Sequence, residues 1–194
     1  MKLISAARIA AFLGICAAAQ PLAAQPPERT LYQRYAERRS DPQFQARIAA
    51  PAARIGEFSW MLGDWDVTVT VFATPATPER VETEHMSYRM LGDAMIVSND
   101  LSTVFGFDAF GDRWFNAGFE PPAVPVAIGY GPAQWDGRTM VFQNDAQIFG
   151  ETVPLRSTLT RQGPDAFELL NEERLASGRY VPVDVYRYRR SGRR

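Results

Sequence analysis

Trp65-Asp66-Val67-Thr68-Val69-Thr70-Val71-Phe72 alternates apolar and polar residues over seven successive positions. Neighbouring side chains of a strand point to opposite faces, so Trp65, Val67, Val69 and Val71 share one side and Asp66, Thr68 and Thr70 the other. A helix would scatter the same valines around its circumference. Their β-branching also suits a pleated, half-buried surface. The segment is therefore expected to be a strand with one face in a core.

The same grammar continues to the end of the chain. Strands are expected at Arg80 to Met90, Ala94 to Leu101, Thr103 to Asp108, Arg113 to Phe119, Val126 to Gln134, around Met140-Val141-Phe142, and at Thr152 to Arg161, Ala166 to Glu173 and Tyr180 to Tyr188. Turn residues separate them: Leu91-Gly92-Asp93, Phe110-Gly111-Asp112, Asp136-Gly137, Gly163-Pro164-Asp165 and Ala176-Ser177-Gly178. The Pro-rich break from Glu120 to Pro125 reads as a loop at a barrel rim. Short strands in series with no helix among them predict an all-β fold, an up-and-down antiparallel β-barrel of 8–10 strands, with a sandwich as the alternative. Closure is favoured because it removes exposed strand edges.

Upstream of Gly56 the character changes. Lys2 and Arg8 precede an apolar run from Ile9 to Ala19, too short to span a bilayer, and small residues follow. This is the pattern of a secretory signal peptide over 1–24, cleaved after Ala24 or, alternatively, after Ala19, which makes the protein periplasmic or secreted. Residues 25–55 form a polar, Arg- and Ala-rich leader with short helices at Glu28 to Arg39 and Pro42 to Ala50, ended by Pro51. Leu31, Tyr35 and Phe44 are its docking candidates. Residues 56–190 are the barrel and 191–194 a basic tail.

Export has chemical consequences. Cys16 is the only cysteine and Lys2 the only lysine, so the mature chain has no disulfide, thiol nucleophile or Schiff-base lysine. Loss of Lys2 and Arg8 also takes the formal charge from −1 to −3, which argues against nucleic acid as a partner.

Phe58-Ser59-Trp60-Met61-Leu62-Gly63-Asp64-Trp65-Asp66-Val67 resembles the opening of a family of exported bacterial lipocalin-like domains of unknown function, within the calycin superfamily. Three further features are similar to that family: Leu91-Gly92-Asp93, the hairpin from Gly106 to Trp114, and the Tyr/Arg-rich end from Tyr186 to Arg190. The resemblance implies that Gly63 and Trp65 begin the first strand and that Trp65 closes one barrel end. It also implies that an arginine of the last strand stacks over Trp65. Arg187 and Arg189, which share a face, are the candidates.

Aromatic residues are abundant enough to line a cavity as well as fill a core, and Phe105, Phe107, Trp114, Phe119, Tyr130, Trp135 and Phe142 are its expected lining. His85 and Arg89 are added as polar cavity candidates. His85 is the only histidine, and its same-face neighbours Thr83, Ser87 and Arg89 do not suit haem, which related barrels bind through a histidine nearer the C-terminus. One histidine without cysteine does not make a zinc site either. No Gly-x-Ser-x-Gly elbow or phosphate loop is present. Asp145, Glu151, Glu168 and Glu172 are candidate carboxylates by residue type only. The glycines of Ala127-Ile128-Gly129-Tyr130-Gly131 either open room for a ligand or let the sheet bend.

Three functions follow in order: a barrel binding a small apolar or amphipathic molecule, a solid barrel whose leader binds a partner, and an acid–base enzyme with a polar cavity. No cofactor or metal is called for, and the expected partner is a small lipophilic ligand. N-terminal sequencing of the exported protein should begin at Gln25; a sequence beginning at Met1 would overturn the signal-peptide reading.

Overall fold

A computed structural model describes residues 28–119, 126–148 and 150–192. The expected signal peptide, the Pro-rich break and the last two residues of the basic tail lie outside the described residues.

Ten strands follow one another: β1 (Gly63–Val71), β2 (Arg80–Leu91), β3 (Met95–Ser98), β4 (Thr103–Asp108), β5 (Arg113–Phe119), β6 (Val126–Tyr130), β7 (Thr139–Ile148), β8 (Glu151–Arg161), β9 (Ala166–Arg174) and β10 (Tyr180–Arg190). Each pairs antiparallel with the next, and β10 returns to pair with β1, so the sheet is a closed up-and-down barrel. The alternation that announced β1 is kept, with Trp65, Val67 and Val69 buried and Asp64 and Asp66 exposed. The expected sixth strand is cut short at Tyr130: Gly131 donates its N–H to the Trp114 carbonyl, and Pro132 next to it has no N–H for a ladder. Outward positions carry Asp66, His85, Arg187 and Arg189 together with the exposed Val81, Phe119, Ile128 and Tyr130. No helix among the described residues is long and apolar enough to cross a membrane.

The first helix, α1 (Leu31–Arg38), is opened by a reciprocal cap: Gln33 N–H donates to Thr30 Oγ1, and Thr30 N–H donates to Gln33 Oε1. Its Leu31 and Tyr32 are exposed.

The second helix, α2 (Pro42–Ile55), starts where expected, with Asp41 accepting from the Gln43 N–H and Pro42 in the first turn. It does not stop at Pro51. Proline removes one backbone hydrogen bond, but the residues beyond it are anchored. Ile55 is buried in the core, and the Arg54 guanidinium lies 4.4 Å from the centre of the Phe107 ring, donates to the Ala133 carbonyl and pairs with Glu57. A 3-10 helix (Gly56–Met61) follows and sends Phe58 and Met61 into the same core. Core residues thus lie on both sides of the expected 55/56 boundary.

Together α2 and the 3-10 helix plug the barrel end where β1 begins and β10 finishes. Phe58 stacks on Trp135 at 4.6 Å and meets Trp114 edge-on at 4.6 Å, while Trp60 packs against Phe167. Trp65, fully buried, donates its indole N–H to the Met61 carbonyl. Truncating one such ring costs about 3–5 kcal/mol, so this end dominates the stability of the fold.

The arginine over Trp65 is neither Arg187 nor Arg189. Its identity follows from register: Trp65 faces Arg190 across the β1–β10 pair, so Arg190 shares the inward face with Tyr188, while Arg187 and Arg189 point outward. The Arg190 guanidinium lies 4.2 Å from the Trp65 ring centre. It donates to the carbonyls of Leu62 (3.0 Å) and Trp60 (2.8 Å) and pairs with Asp165 at 3.1 Å. Gly63, with a positive φ of 111°, has room only for hydrogen, because a Cβ would crowd this guanidinium. Arg190→Ala should lower unfolding free energy in urea by about 2–3 kcal/mol, since charge-assisted hydrogen bonds and a cation–π contact are lost together. Arg189→Ala should stay within about 0.5 kcal/mol of the parent. Equal effects of the two would contradict the assignment.

Candidate functional site

The expected aromatic lining divides into three groups. Phe105, Phe107, Trp114 and Phe142 are buried and pack on one another, with ring centres 5.2 Å apart for Phe107–Trp114 and 6.1 Å for Phe105–Phe142. They form a filled floor above the plug. Trp135 stacks on Phe58 and Trp60 in the plug itself. Phe119 and Tyr130 are on the outer face, where the Arg113 guanidinium sits 3.6 Å from the Tyr130 ring centre. Strand parity explains the split: on β5 the inward residues are Trp114 and Asn116, which turns Phe119 outward.

Above the floor, the inward positions become polar. Asn116 lies two residues beyond Trp114, Asn144 two beyond Phe142, and Ser157 two before Leu159, all buried. A chain of hydrogen bonds crosses four strands at this level. Asn144 Nδ2 donates to Ser157 Oγ at 2.5 Å, Ser157 Oγ donates to Asn171 Oδ1 at 2.6 Å, and Asn171 Nδ2 donates to Asp184 Oδ1 at 2.7 Å. Two amide oxygens in this layer, Asn116 Oδ1 and Asn144 Oδ1, are buried without a hydrogen-bond partner. Both hang over Gly129 of β6, where a Cβ would overlap each of them. That glycine clears space for the two amides. Gly131 likewise makes room for Met140 and Phe142.

The facing wall comes from β2, β3 and β4. Tyr88 and Tyr188 hydroxyls meet at 3.3 Å, and burial first of all pushes both phenols well above their usual pKa. Glu84 stands two residues before Met86 on the same parity but is exposed at the rim. Partial desolvation, then the nearby charges of Asp100 and Glu82, raise its carboxyl above the usual range. Burial pulls Asp100 the same way, but hydrogen bonds from Ser98 Oγ (2.6 Å) and the Ser102 N–H (2.9 Å) more than offset it and leave its pKa lowered. Glu82 pairs with Arg80 at 3.1 Å. Inward residues near this end, among them Val71, Leu155, Leu169 and Tyr186, are only half-buried, so solvent reaches into the mouth.

His85 and Arg89 take no part in this layer, because both lie at outward positions of β2 and are exposed. His85 Nδ1 sits 3.4 Å from Asp66 Oδ1 and 3.5 Å from Ser191 Oγ, and its Nε2 lies 3.9 Å from Asp64. The Ser191 hydroxyl donates to Asp66 at 2.8 Å rather than to the imidazole, in an open groove on the barrel wall. A serine nucleophile needs its proton directed at the base, so this grouping does not match a hydrolytic triad. Glu168 and Glu172 pair outside the barrel with Arg187 and Arg156. No group of three or more His, Cys, Asp or Glu among the described residues is placed to hold a metal ion.

Sequence reasoning looked for aromatics and the histidine and passed over the polar layer. The signal was present at period two: Trp114 and Asn116, Phe142 and Asn144, Leu159 and Ser157, Met86 and Glu84, Ile96 and Ser98 each share a face.

No family model and no curated protein matches the chain. Among solved structures, one similar chain is a redesigned β-barrel, at TM-score 0.34 and 13% identity over 69% of this chain and 94% of that one. Another is a redesigned β-barrel bound to DFHBI, at TM-score 0.33 and 12% identity over 68% and 95%.

Because the fold raises the Glu84 pKa, its charged form is less favourable in the native than in the unfolded chain. Glu84→Gln should therefore raise the unfolding midpoint at pH 7. The gain should fade as the pH falls through the folded value and below the unfolded value of about 4.3, beneath which both states are protonated. A destabilising Glu84→Gln at pH 7 would contradict that environment.

Proposed function

We propose that this chain is an exported, calycin-like barrel, periplasmic or secreted, that binds a small amphipathic molecule through the end opposite the plug. The ligand's apolar part rests on the aromatic floor, and its polar part meets the layer above. The observation that carries this reading is the polar layer of Asn116, Asn144, Ser157 and Asn171 above the aromatic floor. In it the amide oxygens of Asn116 and Asn144 are buried without a partner, as are the indole N–H groups of Trp60, Trp114 and Trp135 below. Each buried acceptor left without a donor costs about 1–3 kcal/mol, and leucine at the same places would avoid that cost. A barrel this small can be filled by its own side chains, as its lower half is. In the upper half polar side chains take the inward positions, toward the end where Val71, Leu155 and Leu169 are only half-buried. A few placed polar groups are what a binding site requires.

The solid-barrel and enzyme readings have less support. Arg54 and Ile55 of the leader are committed to the core, and His85, the one imidazole base, faces away from the interior. The test is mass spectrometry of the protein purified natively from its own source, compared with the Asn116→Leu/Asn144→Leu double variant. The parent should retain a small molecule in near-stoichiometric amount and the variant should not, although it unfolds at the same or a higher temperature. No retained species in the parent would count against the binding reading.

A further inference from the structure

β2 and β3 are unequal partners. β2 has 12 residues and pairs with β1 from Arg80 to Tyr88. β3 has 4 residues and pairs only with Tyr88 to Leu91. At Asn99 the chain turns away, its N–H donating to the Ser87 carbonyl at 2.8 Å and its Oδ1 accepting from the Ser87 N–H at 3.3 Å. Ser87 therefore turns both backbone groups away from β1. Antiparallel pairing alternates that direction, so His85, Thr83 and Val81 turn theirs the same way, while Glu84 and Glu82 face β1. Among the described residues, no backbone group meets the N–H and C=O of Val81, Thr83 and His85 on that side.

The sheet that closes near the plug thus keeps a free strand edge toward the mouth. Every side chain from Arg80 to His85 is exposed, Val81 at 58%, including those at the parity that points inward lower down. A free edge is a template for another strand, whose main chain supplies affinity and whose alternate side chains supply selectivity. The flanks of this edge define what it accepts. On one face stand Glu82 and Glu84, with Asp100 close enough to interact with Glu84. The basic residue there, Arg80, is paired with Glu82 at 3.1 Å. On the other face Val81 and Thr83 are β-branched, and His85 lies beside Asp64 and Asp66. Arg189 is on the far side of β1, opposite Asp66.

A second copy is a poor occupant. Antiparallel pairing of two such edges about Thr83 sets Glu82 of each copy against Glu84 of the other, and like charges directly opposite are destabilising. The chain's own basic tail follows β10, which finishes beside Trp65 at the plug end. Charges on an edge turn away apolar and acidic strands and admit a complementary one. We propose that the upper edge of β2 docks an extended, basic segment of another protein. Its strand lies beside Val81, Thr83 and His85, with its basic side chains against Glu82 and Glu84. This surface is separate from the small-molecule site and does not depend on it.

The test titrates short peptides into the whole protein at low ionic strength and follows calorimetry and amide hydrogen exchange. The first peptide alternates lysine and valine, the second replaces lysine by glutamate, and the third is the first with its valines N-methylated to block the N–H groups that would face β2. In the free protein the amides of Val81, Thr83 and His85 should exchange faster than those of Glu82 and Glu84. The lysine peptide should slow those three amides by about tenfold or more, and the other two peptides should bind at least about tenfold more weakly. Thr83→Pro removes an N–H at the edge without touching the β1 ladder and should weaken the lysine peptide about tenfold; Glu82→Gln/Glu84→Gln should do the same through charge. Equal binding of the N-methylated peptide would overturn strand addition, and equal binding of the glutamate peptide would overturn the basic partner. No slowing of the three amides by the lysine peptide would overturn the docking site altogether. Their protection in a concentration-dependent dimer would assign the edge to a second copy and overturn the proposal. Should Thr83→Pro not fold, the N-methylated peptide decides.

Discussion

Arg190 sits where the barrel closes, and the interior is organised from that contact. Its guanidinium covers Trp65 of the first strand, and its N–H groups hold the carbonyls of Trp60 and Leu62 in the plug. One side chain from the last strand therefore fixes the first strand and the plug leading into it. A planar guanidinium is suited to this because it stacks on the indole with its face and donates in-plane at the same time. Trp65 answers with its own hydrogen bond to Met61. Once this end is set, strand parity determines which residues enter the interior at every level above it.

The interior then divides by height. Near the plug, rings pack on rings: Phe167 on Tyr188 at 3.9 Å, Trp65 on Phe167 at 4.8 Å. The indole N–H groups are polar atoms within this packing, and among Trp60, Trp65, Trp114 and Trp135 only that of Trp65 is paired. Just above it, Asn116, Asn144, Ser157 and Asn171 replace the aromatics, and the glycine of β6 gives the two outer amides their space. Burying amides is unfavourable unless every valence is used, and two are not. The indole N–H groups of Trp60, Trp114 and Trp135 in the lower half are unpartnered too, so both halves carry this cost.

Much of the architecture was legible because β structure writes its pattern at period two. The valines of β1, the Gly-containing turns and the Asp136-Gly137 hairpin located nearly every strand to within a few residues. Pro51 was misread because local propensity says a helix should stop there, whereas Arg54 and Ile55 are anchored by contacts far away in sequence. The Arg190 assignment needed the β1–β10 register, which no local pattern supplies; a one-residue slip exchanges inside for outside. The cavity lining failed for a related reason. Large aromatics look like lining in a sequence, but in a narrow barrel they meet across the axis and fill it. The polar layer was visible residue by residue, and its meaning emerged only when Asn116, Gly129 and Asn144 fell side by side in the registers of β5, β6 and β7.

What meets the two amide oxygens above Gly129 decides whether the barrel holds a ligand. A high-resolution crystal structure of the protein purified natively from its own source would show it. The account predicts non-protein density within hydrogen-bond distance of both Asn116 Oδ1 and Asn144 Oδ1, extending down to the aromatic floor. An Asn116 amide turned to donate directly to Asn144 Oδ1, with side chains closing the space above it, would contradict it.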